Sequence, residues 1–340
     1  MNALVSDAVA GALLLAVTAY STAGGADYGA GIWDLIAGRF PHTREVRELI
    51  EHAMGPVWEA NNVWLVFAAV LCWTGFPLLF ESVFISLYPL FALALVGLIL
   101  RGAFFAFRKA AATPESHLVA SRVFGVSSLL APFSFAAALG AIASGKVGVG
   151  SPVVPVWQAC LDPLALAFGV VALTATAFTG ASFLVGDARR YHTPGEGPDL
   201  VDYFRRRVML AAVALLGASL IALLLIASES PTLFLGMVYG LGLPFSTAAV
   251  VAVLAVLFLM WLPVYRGYRL MTVIGVGSFV FAWALGQVPY LVPGRLTIQQ
   301  AAGAPQIEVT LLVITVVAFA LVIPSLYLLY TLDQRSALEA

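Results

Sequence analysis

The stretch GPVWEANNVWL, residues 55–65, runs straight into the apolar VFAAVLCW, yet it sets a carboxylate and two asparagines between two tryptophans. Each polar side chain at membrane depth costs free energy unless it is paired or reaches the interface. Glu59, Asn61 and Asn62 therefore mark the start of an apolar segment that does more than cross a bilayer.

Composition places the rest of the chain around that segment. Of 340 residues, 61% are hydrophobic and 10% charged, with a mean hydropathy of +0.98. A soluble domain carries about a quarter charged residues, so the sequence reads as an integral membrane protein. A net charge of −1 gives no footprint for nucleic acid. Cys72 and Cys160 lie far apart without metal-ligand spacing, and buried packing is the expected role of each.

At about 20 apolar residues per crossing, eight or nine spans are expected, with nine favoured, near residues 5–23, 57–76, 80–104, 121–143, 160–185, 207–227, 244–262, 270–291 and 309–331. Residues 1–23 are expected to be the first span rather than a removed signal peptide, because no basic region precedes them. PTLFLGMVYGLGLPFS, residues 231–246, is broken by Gly and Pro and is expected to be a turn at the outer face. The expectation is an all-α, polytopic helical bundle forming one transmembrane domain over residues 1–340. With nine spans, 15 of the 17 Lys and Arg residues fall on one side, leaving Lys146 and Arg295 on the other. The positive-inside rule then places the N-terminus outside and the C-terminus in the cytoplasm.

Most acidic residues are expected at solvated helix ends: Asp162, Glu229 and Glu308 outside, with Asp7 and Glu81 near that face. Asp27, in GGADYGAGIW, and Glu59 are different, since both belong near the cytoplasmic face, where they can approach one another. Gly24, Gly25, Gly29 and Gly31 remove bulk around Asp27, permitting a close helix approach or an unwound helix end. Asn61 and Asn62 can hold a carboxylate or a water. Two readings fit: a proton-accepting entrance, or a structural hydrogen-bond cluster beside the interfacial Trp58 and Trp64. Arg101, in LILRGAFFAFRK, either pairs with Asp27 or Glu59 or snorkels to the interface.

His42, His52, His117 and His192 all fall in or beside cytoplasmic loops, so no haem is expected within this chain, which would need axial ligands inside the bundle. No phosphate loop, Cys cluster or nucleophilic triad stands out, and independent catalysis is not expected.

At residues 58–64, Trp-Glu-Ala-Asn-Asn-Val-Trp, the sequence resembles subunit II of the cytochrome bd quinol oxidases. GGADYGAGIWDL, LRGAFFAFR, ALGQVPYLVP with Gln287, and LTIQQAA extend the resemblance from about residue 24 to residue 330. The resemblance implies a non-haem subunit packed against a haem-bearing subunit I in the bacterial inner membrane. Haem b and haem d would lie in that partner, quinol would be the substrate of the complex, and small accessory subunits, membrane lipid or quinone are further expected partners. It also implies a proton path drawing on Asp27, Glu59, Asn61 and Asn62, with Trp58, Trp64, Arg101 and Gln287 as motif residues of structural role. The sequence departs from the family at Gly24 and Ala106, where relatives often carry an acid, and at Asn62, where Gln or His is commoner. The competing expectations are a purely structural partner subunit and a stand-alone proton-coupled carrier.

Overall fold

Long apolar segments bounded by Pro, Thr and Asp dictate the architecture. In the computed structural model, which describes residues 2–38, 43–54, 57–110, 113–191 and 199–334, these segments are helices. The side chains of residues 2, 54, 57–59, 109, 110, 114, 191, 330 and 332–334 lie outside the description.

The elements run α1 (Asn2–Ala37), α2 (Thr43–Met54), α3 (Val57–Gly75), α4 (Pro77–Ala110), α5 (Pro114–Ala143), α6 (Val156–Cys160), α7 (Pro163–Tyr191), α8 (Leu200–Glu229), α9 (Pro231–Val238), α10 (Leu243–Trp261) and α11 (Tyr268–Gly286). A small hairpin, β1 (Tyr290–Val292) and β2 (Leu296–Thr297), then leads to α12 (Ile298–Ala301) and α13 (Pro305–Gln334). Among the described residues, eight helices are long and apolar enough to cross a membrane: α1, α4, α5, α7, α8, α10, α11 and α13. The apolar part of α3, Ala60–Gly75, is shorter and packs beside α1 and α13.

Local chemistry starts and bends these helices. Thr113 caps α5 by accepting from the Ser116 N–H, with Pro114 in the first turn, and Asp199 caps α8 through the Asp202 N–H. Both satisfy donors that a helix leaves open at its N-terminus. In α4 the backbone leaves helical geometry at Leu87, just before Pro89, because the ring removes an N–H and crowds the preceding turn.

Two expectations change here. The segment expected as a turn at 231–246 contains the short helix α9. The first span does not end at residue 23; α1 stays helical through GGADYGAGIWDLIA, so no unwound end forms at Asp27. The glycines serve close approach instead. A Cβ on Gly29 would fall 2.0 Å from the Thr176 carbonyl oxygen, and one on Gly180 would fall 2.5 Å from the carbonyl carbon of Gly29. Backbone meets backbone where α1 crosses α7, which is how small residues drive helix packing when lipid removes the hydrophobic difference.

That crossing generates a prediction. Gly180→Ala adds a methyl that only backbone displacement can accommodate, a strain of about 1–3 kcal/mol. The thermal midpoint of the detergent-solubilised protein is expected to fall by several degrees, and an unchanged midpoint would show that the glycines do not set the helix separation.

Candidate functional site

The site forms where α1, α3, α4 and α5 meet at the end of the bundle that carries α2. Asp27 is partly buried on α1, and Asn61 Nδ2 on α3 donates to its Oδ2 at 2.8 Å. The same amide also donates to the Ala23 carbonyl oxygen at 3.4 Å. Among the described residues, Asn61 thus joins the GPVWEANNVWL segment to the glycine-flanked acid. Arg101 on α4 is buried rather than snorkelled. Its guanidinium lies 4.5 Å from the ring centroid of Tyr28, the residue next to Asp27. The Tyr28 hydroxyl stands 2.7 Å from that of Tyr20, whose ring lies against Gly24; a Cβ on Gly24 would meet it at 3.1 Å.

The Trp58 and Glu59 side chains lie outside the described residues, so the meeting of Asp27 with Glu59 stays an expectation. Asn62 lines a groove of about 460 Å³ between α3 and α13, with Val66, Leu311 and Thr315 among its walls. Trp64 packs edge-on against Phe319 of α13, with ring centroids 5.7 Å apart. Gln287 ends α11 at the opposite end of the bundle, buried, and takes no part in the cluster.

A second charged group lies two helical turns further along α1. Asp34 is fully buried, and its carboxylate meets Arg108 Nη1 of α4 at 2.9 Å and Arg47 Nε of α2 at 3.2 Å. Arg108 also pairs with Glu51 of α2. The Glu51 carboxylate lies 3.5 Å from His117 Nε2 at the start of α5, and both of these side chains are more than a third exposed. The fully buried Phe124 ring lies between the two arginines, 5.5 Å from the Arg101 guanidinium and 5.9 Å from that of Arg108. Buried charges survive in such surroundings only when paired, and the aromatic face adds attraction for each guanidinium.

In the sequence Asp34, Glu51 and Arg108 look like ordinary charged residues and His117 like a loop histidine. A signal was there: Asp27 and Asp34 are seven apart, as are Arg101 and Arg108, and a spacing of seven returns to the same helix face.

The opposite end of the bundle corrects the reading of its acids as solvated. Asp162 is 1% exposed; its Oδ1 caps α7 through the Leu164 and Ala165 N–H groups, while Lys146 pairs with the same carboxylate. Glu308 is 2% exposed and accepts from Ser6 Oγ at 2.7 Å, which ties α13 to α1. Both acids are interior fasteners. Asp7 and Glu81 are exposed, as expected. His52 and His117 stand on α2 and at the start of α5; His42 and His192 lie outside the described residues. Among the described residues no group of three or more His, Cys, Asp and Glu side chains is arranged to hold a metal ion.

Comparison with known proteins gives concordant results at three levels. A segment of 84 residues is 32% identical to the cytochrome bd ubiquinol oxidase subunit 2 of Bacillus subtilis (strain 168). That match covers 25% of this chain and 24% of the relative, so only about a quarter of the curated protein's length is spanned. The fold matches a chain in a structure of bd oxidase from Geobacillus thermodenitrificans with a TM-score of 0.78 and 20% identity, over 97% of this chain and 98% of that one. The family model described as cytochrome bd terminal oxidase subunit II covers residues 5–333. With its membrane-crossing helices and a family match along almost its whole length, the chain belongs to the cytochrome bd terminal oxidase subunit II family, multi-pass proteins of the bacterial inner membrane.

Proposed function

We propose that the chain is the non-haem subunit of a quinol-oxidising, oxygen-reducing complex, and that it helps deliver protons from the cytoplasm for reduction of oxygen to water. The observation that carries the proton role is the Asn61–Asp27 hydrogen bond: a carboxylate at membrane depth held by an amide of the neighbouring helix, with the buried Arg101 over the ring of the adjacent Tyr28. A carboxylate so placed can take up and release a proton without leaving its position, and Asn61 keeps it aimed. Glu59, two residues before Asn61, is the second acid of this proposal.

A haem-bearing subunit I, with haem b and haem d, would supply the redox chemistry. The residues of this chain would position and protonate, and electrons would stay in the partner. The face carrying α3 and α13 is the one we assign to that partner, because Asn62 and the buried Thr315 line an otherwise apolar groove there. Lipid or quinone could fill what the partner leaves open.

A purely structural role is favoured by one observation: Asn61 also binds the Ala23 carbonyl, so the same amide pins α3 to α1. Kinetics separate the two readings. Asp27→Asn in the assembled oxidase is expected to slow quinol-driven oxygen consumption about tenfold, a barrier increase of about 1.4 kcal/mol, with haem content per complex unchanged. Full turnover would remove the proton role, and lost haem with equal loss of activity would favour the structural one.

Two further outcomes follow from orientation and docking. A fluorescent protein fused to the C-terminus should fluoresce, while alkaline phosphatase fused there stays inactive; the reverse pattern would invert the proposed topology. Val66→Cys, on the exposed face of α3, is expected to cross-link to the large partner chain with a short bis-maleimide once cysteines are scanned on the facing helices. Cross-links found only from the α8 or α10 faces would move the interface there.

A further inference from the structure

Helices α1, α4 and α5 each present polar groups along one stripe. On α1 these are Asp34 and Asp27, with Gly31 between them; on α4 they are Arg108 and Arg101. On α5, His117, Ser121 and Ser128 recur at intervals of four and seven, which keeps them on one face. The stripe begins at the water, where the His117 and Glu51 side chains are partly exposed and 3.5 Å apart. It continues into the bundle: Ser121 is 1% exposed and its hydroxyl has no hydrogen-bond partner among the described residues. Ser128 is fully buried, and a Cβ on Gly31 would fall 2.1 Å from its Oγ. The Ser128 hydroxyl therefore lies against the α1 backbone between Asp34 and Asp27.

Arg108 adds an independent mark. It is 3% exposed, and its Nη2 has no hydrogen-bond partner among the described residues, although its Nη1 and Nε are both paired. Buried donors and hydroxyls in this condition are the groups that hold internal water. Phe124 fills the space between the two arginines, which leaves the polar side of the seam to α1 and α5.

We propose that His117 and Glu51 are the water-facing mouth of a polar seam between α1, α4 and α5, and that protons reach Asp27 from them past Asp34, Ser121 and Ser128. This rests on the proton-uptake reading of Asp27 and extends it to the surface. His117 takes a proton from bulk water or buffer, and the proton leaves the seam on the Asp27 carboxylate; no bond other than those to hydrogen changes. Among the described residues, Glu51 pairs with Arg108 of α4 as well as facing His117, Arg108 also meets Asp34 of α1, and Arg47 of α2 pairs with Asp34. Arg108 and Arg47 hold the two carboxylates in place and act as positioning residues.

The test uses the complete oxidase carrying His117→Gln, Ser121→Ala or Asp27→Asn in this chain, with oxygen consumption followed from roughly pH 6 to pH 8.5. Proton capture becomes limiting as proton activity falls. His117→Gln is therefore expected to turn over near the wild-type rate at the acidic end and to fall about tenfold at the alkaline end. Added imidazole at tens of millimolar should restore the rate. Ser121→Ala, a small change that keeps the helix, is expected to slow turnover about threefold without rescue by imidazole, and it carries the test if His117→Gln does not assemble. A pH-independent loss in His117→Gln without rescue, or wild-type rates in both seam variants beside a slow Asp27→Asn, would overturn the seam while leaving the role of Asp27 standing. Wild-type turnover in Asp27→Asn would instead remove the proton-uptake reading, and the seam's destination with it.

Discussion

Helix α1 can run through the middle of this bundle only because its second half carries almost no bulk where other helices cross it. Contact at Gly29 and Gly180 is backbone to backbone, and Gly31 yields its space to the Ser128 hydroxyl. Neighbours α3, α5, α7, α11 and α13 all pack on α1. Gly in a helix costs about 1 kcal/mol relative to Ala in water. In a membrane that local cost is offset by close packing, which is the available driving force between helices when lipid is as apolar as the side chains.

Close packing also decides the fate of the charges. With helix backbones drawn together, Asp34, Arg108, Asp162 and Glu308 are cut off from water and must find partners within the chain. Each carboxylate does so with residues distant in sequence: Asp34 with Arg108 and Arg47, Asp162 with Lys146, Glu308 with Ser6. These contacts sit at the two ends of the bundle: Asp34 fastens α1 to α4 and α2 at one, while at the other Glu308 fastens α13 to α1 and Asp162 joins the start of α7 to the segment after α5. Between them the core is largely apolar, with Asp27, Asn61 and Arg101 forming a polar cluster further into the bundle than Asp34 and Arg108.

A proton-delivery role for such a subunit is physically economical. The partner would perform the electron chemistry, whereas protons need only fixed carboxylates, hydroxyls and water at hydrogen-bond spacing. The departures from the family pattern at Gly24 and Ala106 fit that view in one respect: the Tyr20 ring occupies the space beside Gly24, and its hydroxyl pairs with that of Tyr28, so the site is filled by a different polar group.

What the sequence determined alone were the features that depend on a short window. Apolar runs of about 20 residues identify helices because the bilayer leaves no other way to satisfy backbone groups, and the Trp-Glu-Ala-Asn-Asn-Val-Trp motif carried the family. What only the tertiary structure decided was burial. Nothing within residues 24–37 shows that Asp34 is sealed by Arg108, 74 positions away, nor that the glycines extend α1 rather than unwind it, since both depend on α4 and α7. The acids Asp162 and Glu308 misled for the same reason: helix ends look solvated in a sequence, and whether water reaches them is set by which other helices end there.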